Sequence, residues 1–462
     1  MFDATVYQTR RSRLKRDVRS GLLLFLGNEE VGMNYAANTY AFRQDSTFLY
    51  FWAVDQPGLA AILDVDEGTE TLFGDDLTVA DIVWSGPQPT MADLCRPAAI
   101  ASSAPKAELA TRLSAAIAKG RRIHFLAPYR GEQTLTIARL LGLRPSMVAA
   151  YRSESFHRAV VAQRNIKSAA EVAEMESAID VSRDMYAAAM VAAKPGRYER
   201  EVVAEMARIG MGRGFAMSFP PICSVHGETL HNPFHNNQMQ AGDVMILDSG
   251  VETPLHYASD ITRTIPVGGR FTDRQREIYE IVLRAQVAAI AAIKPGVPYK
   301  TIHLQVARSF ATDLKAIGLM RGDVESAVAE GAHALFFPHG LGHMIGMDVH
   351  DQENLGEAIV GYEEGLTRSS QFGLGYLRLA RTLQPGFVLT VEPGIYFVPA
   401  LIDQWKAERT FQAFINYDAV EAYRNARGIR IEDDVVVTES GGRVLGQPIP
   451  KTVVDVENAC AG

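Results

Sequence analysis

Cysteine is scarce in this chain: among 462 residues there are three, Cys95, Cys223 and Cys460, far apart and odd in number. Neither a disulfide framework nor a CxxC zinc site can be built from them, so free thiols in a reducing compartment are expected. Long apolar runs are also lacking. The run LLLFL at 22–26 follows a basic stretch with Arg10, Arg11, Arg13, Lys15 and Arg16. It is too short for a signal-peptide core and has no small-residue cleavage site behind it. No segment approaches a membrane span, and a cytoplasmic protein without membrane partners is expected. An excess of positive charge is missing too. The formal net charge is −8, which argues against a general nucleic-acid binder. Residues 1 to about 150 contain no phosphate-cradling glycine loop and no nucleophile elbow.

What is present is the balance of a globular protein, 47% hydrophobic and 22% charged, in a chain long enough for two domains. In the first, 1–155, short apolar runs at 21–27 (GLLLFLG), 47–52 (TFLYFW), 58–63 (GLAAIL) and 122–126 (RIHFL) read as strands. KAELATRLSAAIA at 106–118 reads as a helix between them, giving an α/β domain. Ser168 and Glu171 form a capping box that opens a second domain, 165–462. Its first helix carries Val172, Met175, Ile179 and Tyr186 at helical spacing and stops before Lys194-Pro195-Gly196. AAKPGRYEREVVAEMAR, ending at Arg208, is echoed by AIKPGVPYKTIHLQVAR, ending at Arg308. One such pair in register points to duplication of a fold half, not to a solenoid.

Chemistry-bearing residues concentrate in this second domain. VMILDSG at 244–250 is a buried-type strand ending in Asp248, and SDITRTIP at 259–266 alternates with Asp260, Thr262 and Thr264 on one face of a half-buried strand. FPHGLGHMIGMDVHD at 337–351 holds three of the eleven histidines, with glycines that argue against a regular helix. LTVEPG at 389–394 sets Glu392 at the end of an apolar strand, and IRIEDDVVVT at 429–438 puts Arg430 and Glu432 on one face. Singly, each has a plainer explanation: a turn cap, a local ion pair, a core histidine. Together they place four carboxylates on or beside strongly apolar segments, and like charges so close cannot all ionise without cations. Two divalent ions would match four carboxylates, with an imidazole completing an oxygen-rich set. Such a set favours manganese and tolerates cobalt, iron or zinc. Two neighbouring metals can clamp a tetrahedral intermediate, which is hydrolase chemistry.

LDSG, SDITRT, HGLGH, TVEPG and RIEDD, in this order between about 168 and 449, resemble the pita-bread metallopeptidases, which include aminopeptidase P, prolidase and methionine aminopeptidase. The resemblance implies an α+β pita-bread catalytic domain behind a smaller α/β domain. It implies Asp248, Asp260, His343, Glu392 and Glu432 as ligands of two metal ions, with Asp260 and Glu432 bridging both and a hydroxide between the metals as nucleophile. Glu392 is the implied proton shuttle. His339, His350 and His231 match histidines that bind substrate and stabilise the intermediate, with His226 and His235 as rivals of His231. Arg430 is the implied partner orienting a ligating carboxylate.

FRQDSTFLYF at 42–51 and its domain are similar to the companion domain of aminopeptidase P and prolidase, which methionine aminopeptidase lacks. The substrate implied is a proline-containing peptide cut at its N-terminal Xaa-Pro bond, as by aminopeptidase P. Alternatively it is an Xaa-Pro dipeptide, as for prolidase, with Arg378 holding the free carboxylate and Arg381 as its rival. Organophosphorus esters would be at most a side substrate. A catalytically dead peptide-binding module is the reading of another class. Relatives of this kind are commonly dimers or tetramers, so a homo-oligomer is implied.

Overall fold

The computed structural model describes residues 1–461 and divides the chain into two compact units. The first comprises Met1–Arg164 and Gln352–Ile359, the second Asn165–Asp351 and Val360–Gly462. The short returning piece Gln352–Ile359 lies deep inside the stretch expected to be purely catalytic domain, and no change in composition marks it.

In the first unit a five-stranded mixed sheet is built from Ser102–Ala104, Glu70–Phe73, Ala60–Asp64, Leu22–Leu26 and Ile123–Phe125, in that order across the sheet. Its middle pairings are antiparallel, and the two outer strands run parallel to their neighbours. Leu24, Ile62, Phe73 and Phe125 from the sheet meet Leu109, Leu113 and Ile137 from two flanking helices to make the core. TFLYFW is not a strand. Ser46–Trp52 is a helix capped by Asp45, whose side chain accepts from the Phe48 amide at 2.8 Å. All seven of its residues are buried, so the run has no polar face, and a short apolar run without periodicity does not distinguish helix from strand. The basic N-terminal stretch is also structural, forming the helix Ala4–Val18 with Arg10 and Arg11 turned inward. Arg11 donates to the carbonyls of Phe51 and Ala98, both at 2.8 Å, and pairs with Glu70 at 2.6 Å.

In the second unit the capping box of Ser168 and Glu171 opens the helix Ala169–Ala192. Lys-Pro-Gly turns precede both Glu199–Gly212 and Tyr299–Ala316, and each of these helices follows a long one, Ala169–Ala192 or Asp273–Ala292. Behind the first helix pair, strands Val244–Ser249 and Ile261–Pro266 run antiparallel. Behind the second, Val388–Val391 pairs with Asp433–Thr438 and Gly394–Tyr396 with Gly428–Arg430. A bridge between Thr262 and Glu432 joins the two sets of strands. The strand Ile261–Pro266 is buried on both faces, not half-buried as its alternation suggested. Its charged residue Arg263 faces away from Thr262 and Thr264 but is fully paired, with Asp433 at 2.7 Å and the Glu432 carbonyl at 2.7 Å. No helix among the described residues is long and apolar enough to cross a membrane. The three cysteines are free and buried.

Candidate metal centre and its surroundings

The strand ends deliver carboxylates to one buried place. Asp248, opposite Thr262 in the antiparallel register, lies at the end of one strand, and Asp260 just precedes the next. Glu392 follows Val388–Val391, and Glu432 stands between two short strands of the other set. Two glycines make the approach possible. A Cβ on Gly250 would overlap the Ser259 carbonyl, and one on Gly342 would overlap the Thr390 carbonyl. The glycines of LDSG and HGLGH are therefore required by close backbone contact.

Oxygens of Asp260 and Glu432 and a ring nitrogen of His343 lie within 4.8 Å of one another. His343 Nε2 is 3.5 Å from Asp260 Oδ2 and 3.8 Å from Glu392 Oε1. Its other nitrogen, Nδ1, is 3.1 Å from the Met344 carbonyl. A carbonyl only accepts, so Nδ1 carries a proton, and in the neutral ring it is the Nε2 lone pair that faces the carboxylates. That is the tautomer a metal ligand needs. Glu432 accepts from the Thr262 hydroxyl at 2.7 Å. Asp248 is tied to the guanidinium of Arg430, whose Nε donates to Thr262 Oγ1 at 3.1 Å.

The electrostatics are those of an undercompensated anion cluster. Burial, followed by the charges of Asp248, Asp434 and Glu392, pushes Asp260 well above the usual carboxylate range. Glu432 is raised by burial and by Asp260 and Glu392. Glu392 is raised chiefly by burial, against the opposing pull of His343 and Arg430. Asp260 Oδ1 is buried with no hydrogen-bond partner. Arg430 is the buried guanidinium among the four carboxylates, and the charge of Arg378 reaches Glu392. Divalent cations fit this donor set: Asp260, Glu432 and His343 would hold them, and they would supply the missing positive charge.

The remaining expected residues surround this centre. The His350 ring lies flat on that of His343, with centroids 3.9 Å apart and 13° between planes. His339 Nδ1 is 3.8 Å from Glu392 Oε2, but its hydrogen bonds run to the Gly340 carbonyl at 2.8 Å and the Tyr396 hydroxyl at 2.9 Å. His231 is exposed; desolvation and then the Arg430 charge hold its imidazole below the ordinary pKa, and Asp248, His350 and Arg378 also act on it. Its rivals are engaged elsewhere, His226 with Glu228 at 3.1 Å and His235 with the Pro221 carbonyl at 2.9 Å. The charge of Arg378 is felt at both Glu392 and His231. Arg381 instead donates to the Val360 carbonyl at 3.0 Å and lies over the Phe387 ring.

Two participants, Tyr396 and Asp434, were not singled out from sequence, and Thr264, placed there on the face of Asp260, gains a role. Tyr396 links His339 to Arg430. Asp434 accepts from the Asp260 amide at 3.0 Å. Thr264 both donates to the Arg430 carbonyl and accepts from its amide, each at 3.0 Å. Alternation from Glu432 to Asp434 could have flagged the second; Tyr396, 34 residues from Arg430, offered no local signal.

Residues 173–439 match metallopeptidase family M24, and residues 7–124 match the aminopeptidase P N-terminal domain. The chain is 33% identical to the human Xaa-Pro dipeptidase over 463 aligned residues, covering 98% of this chain and 91% of that one. Its fold superimposes on the proline aminopeptidase P II of Yersinia pestis with a TM-score of 0.81 at 28% identity, covering 100% of both chains. For the aminopeptidase PepP of Pseudomonas aeruginosa the TM-score is 0.82 at 27% identity, covering 100% of this chain and 98% of the other. The chain therefore belongs to metallopeptidase family M24, and its catalytic domain is preceded by one of the aminopeptidase P N-terminal type.

Proposed function

We propose that this chain removes the first residue from peptides whose second residue is proline, and that Asp248, Asp260, His343, Glu392 and Glu432 hold two divalent cations for the purpose. The observation that carries the reading is the buried group of Asp260, His343 and Glu432, in which Asp260 Oδ1 has no hydrogen-bond partner and His343 Nε2 is the nitrogen on the carboxylate side. Manganese suits an oxygen-rich set with one imidazole, and cobalt, zinc or iron are accommodated by the same donors. Bound there, the cations supply positive charge that polarises a peptide carbonyl and acidifies water at neutral pH.

The protein's own groups do the rest. Glu392 is a carboxylate whose affinity for a proton is raised by burial. It takes the proton of the attacking water and returns it to the leaving imino nitrogen of proline. His231 and His350 face the scissile carbonyl and stabilise charge as it develops on the oxygen. Arg430 fixes Asp248, while Thr262 receives Arg430 and donates to Glu432, so two carboxylates on different strands are oriented by one chain of hydrogen bonds. The complete ligand set argues against a catalytically dead peptide-binding module. The buried free thiols support a reducing compartment, and a homo-oligomer is the expected assembly.

A second reading, dipeptide hydrolysis, is favoured by Arg378, whose charge acts on Glu392 and His231 and could hold a dipeptide's free carboxylate. The likeness to the human Xaa-Pro dipeptidase supports it as well. The deciding experiment compares Gly-Pro with Gly-Pro-Gly-Gly on manganese-loaded enzyme. Cleavage of the longer peptide at its first bond upholds the aminopeptidase reading. Turnover of the dipeptide alone replaces it with the dipeptidase.

A further inference from the structure

A buried ion pair stands behind the segment that carries His350. Lys167 Nζ is 3.0 Å from Asp351 Oδ2, and the two side chains are 2% and 1% exposed. Each partner is anchored. The Lys167 amide donates to the Gly386 carbonyl at 2.8 Å, just before the strand that leads to Glu392. The Asp351 amide donates to the Met344 carbonyl at 2.9 Å, which closes the segment 344–351 into a loop next to His343. Within the loop the Gly346 carbonyl accepts from the Ala258 amide at 2.8 Å, and the Ile345 amide donates to Val388 at 3.1 Å. Gly346 is wedged against the pair: a Cβ there would collide with the Asp351 carboxylate and with Cε of Lys167.

The loop contains no helix or extended strand to set the direction of its side chains. A buried ion pair is a poor source of net stability, since apolar residues of similar volume usually serve as well or better. What it does provide is a fixed distance between two backbone points. Here one point neighbours His350, and the other is fastened beside the strand leading to Glu392. We propose that Lys167 and Asp351 are positioning residues that hold His350 in its stacked place on His343, an inference that rests on the proposed role of His350 in turnover. Loss of the tie displaces the His350 imidazole relative to the scissile carbonyl without removing a metal ligand.

The test uses the full-length, manganese-loaded protein with five variants: Lys167→Met with Asp351→Leu, Lys167→Arg, His350→Ala, and each of the first two combined with His350→Ala. Metal content, thermal midpoint, kcat and KM on an Xaa-Pro peptide are read for each. The apolar pair should bind two equivalents of manganese and leave KM within about twofold, yet lower kcat roughly 10- to 100-fold, since a displacement of about 1 Å can cost 10²-fold. On the His350→Ala background the same replacement should lower kcat no further. Wild-type kcat in the apolar pair, or an equal further fall without His350, overturns the positioning role while leaving the peptidase reading intact. If the apolar pair does not fold, Lys167→Arg replaces it. That variant keeps both charges but is too bulky for the space beside Gly346, and its loss of kcat should likewise vanish without His350. Unchanged kcat in His350→Ala alone overturns the role of His350 in turnover, and the inference with it.

Discussion

His339 Nε2 shares a hydrogen bond of 2.9 Å with the hydroxyl of Tyr396, and the same hydroxyl is 2.8 Å from Arg430 Nη1. A guanidinium only donates, so the tyrosine proton goes to His339. With Nδ1 donating to the Gly340 carbonyl, the imidazole is held neutral in one tautomer. Burial, with Arg430 adding to it, lowers its pKa to about 3. His339 thus offers the site an oriented ring edge beside Glu392.

Replacing Tyr396 by Phe leaves a buried guanidinium hydrogen and the His339 acceptor without partners. Hydrogen bonds to charged groups contribute about 1.5–3 kcal/mol, so kcat/KM should fall between about 10- and 150-fold with both metals retained. Steady-state kinetics beside metal analysis checks this. Loss of metal would show instead that Tyr396 supports the ligands.

Asp260→Ala should abolish turnover and metal binding together, because Asp260 belongs to the compact donor group with His343 and Glu432. Chelation of wild-type protein should lower its unfolding midpoint, since a ligand bound only by the folded state stabilises it. The same chelator should leave the midpoint of the variant unmoved. Retained turnover in Asp260→Ala would sink the assignment.

His303 and His333 are buried, and none of their four ring nitrogens has a hydrogen-bond partner. Burial sets their pKa values at about 3 and about 4, and His333, His339 and Lys300 add to the effect at His303. Both groups bind protons less readily folded than unfolded, where an imidazole titrates near 6.5. Their neutral forms favour the fold above about pH 6.5, and that contribution is lost as pH falls toward 4. By linkage the loss at pH 5 is roughly 2 kcal/mol for each. Urea denaturation at pH 8 and pH 5 measures it, and His303→Gln should flatten the acid limb.

Gly342→Ala should destabilise the fold by about 3 kcal/mol, at the upper end for overpacking, because the added Cβ meets the Thr390 carbonyl. Thr390 also receives the His343 amide through its side chain at 3.1 Å. Metal affinity should therefore fall along with stability, as titration of manganese into the variant would reveal.

On the dipeptidase reading, Arg378→Ala should raise KM for Gly-Pro by about tenfold or more, the loss of one charge-assisted hydrogen bond, with a smaller effect on Gly-Pro-Gly-Gly. Arg381→Ala should instead lower stability, because its guanidinium serves a backbone carbonyl. Equal effects of Arg378→Ala on both peptides would remove the carboxylate clamp.

The carboxylates of the proposed donor set could be read from sequence because each ends or borders an apolar run, where a carboxylate demands an explanation. Asp248, Asp260, Glu392 and Glu432 all stand out for that reason, and the structure brings them to one place. The helix at 46–52 was not legible, since its seven residues are buried all round and carry no period. The inward turn of Arg10 and Arg11 was hidden because a basic cluster looks the same whether water or backbone carbonyls surround it. Tyr396, Asp434 and Lys167 act through partners far along the chain, and one sequence alone does not reveal such pairings.

The hydrogen bond from Thr262 to Glu432 spans 170 positions, and that from Arg430 to Asp248 spans 182. The two strand sets can each form from nearer neighbours, but the cation site exists only once they dock. Closing so long a loop is entropically slow to be rewarded. A chain still emerging from the ribosome therefore lacks the proposed cation site until Glu432 has been added, whatever part of the domain has already folded.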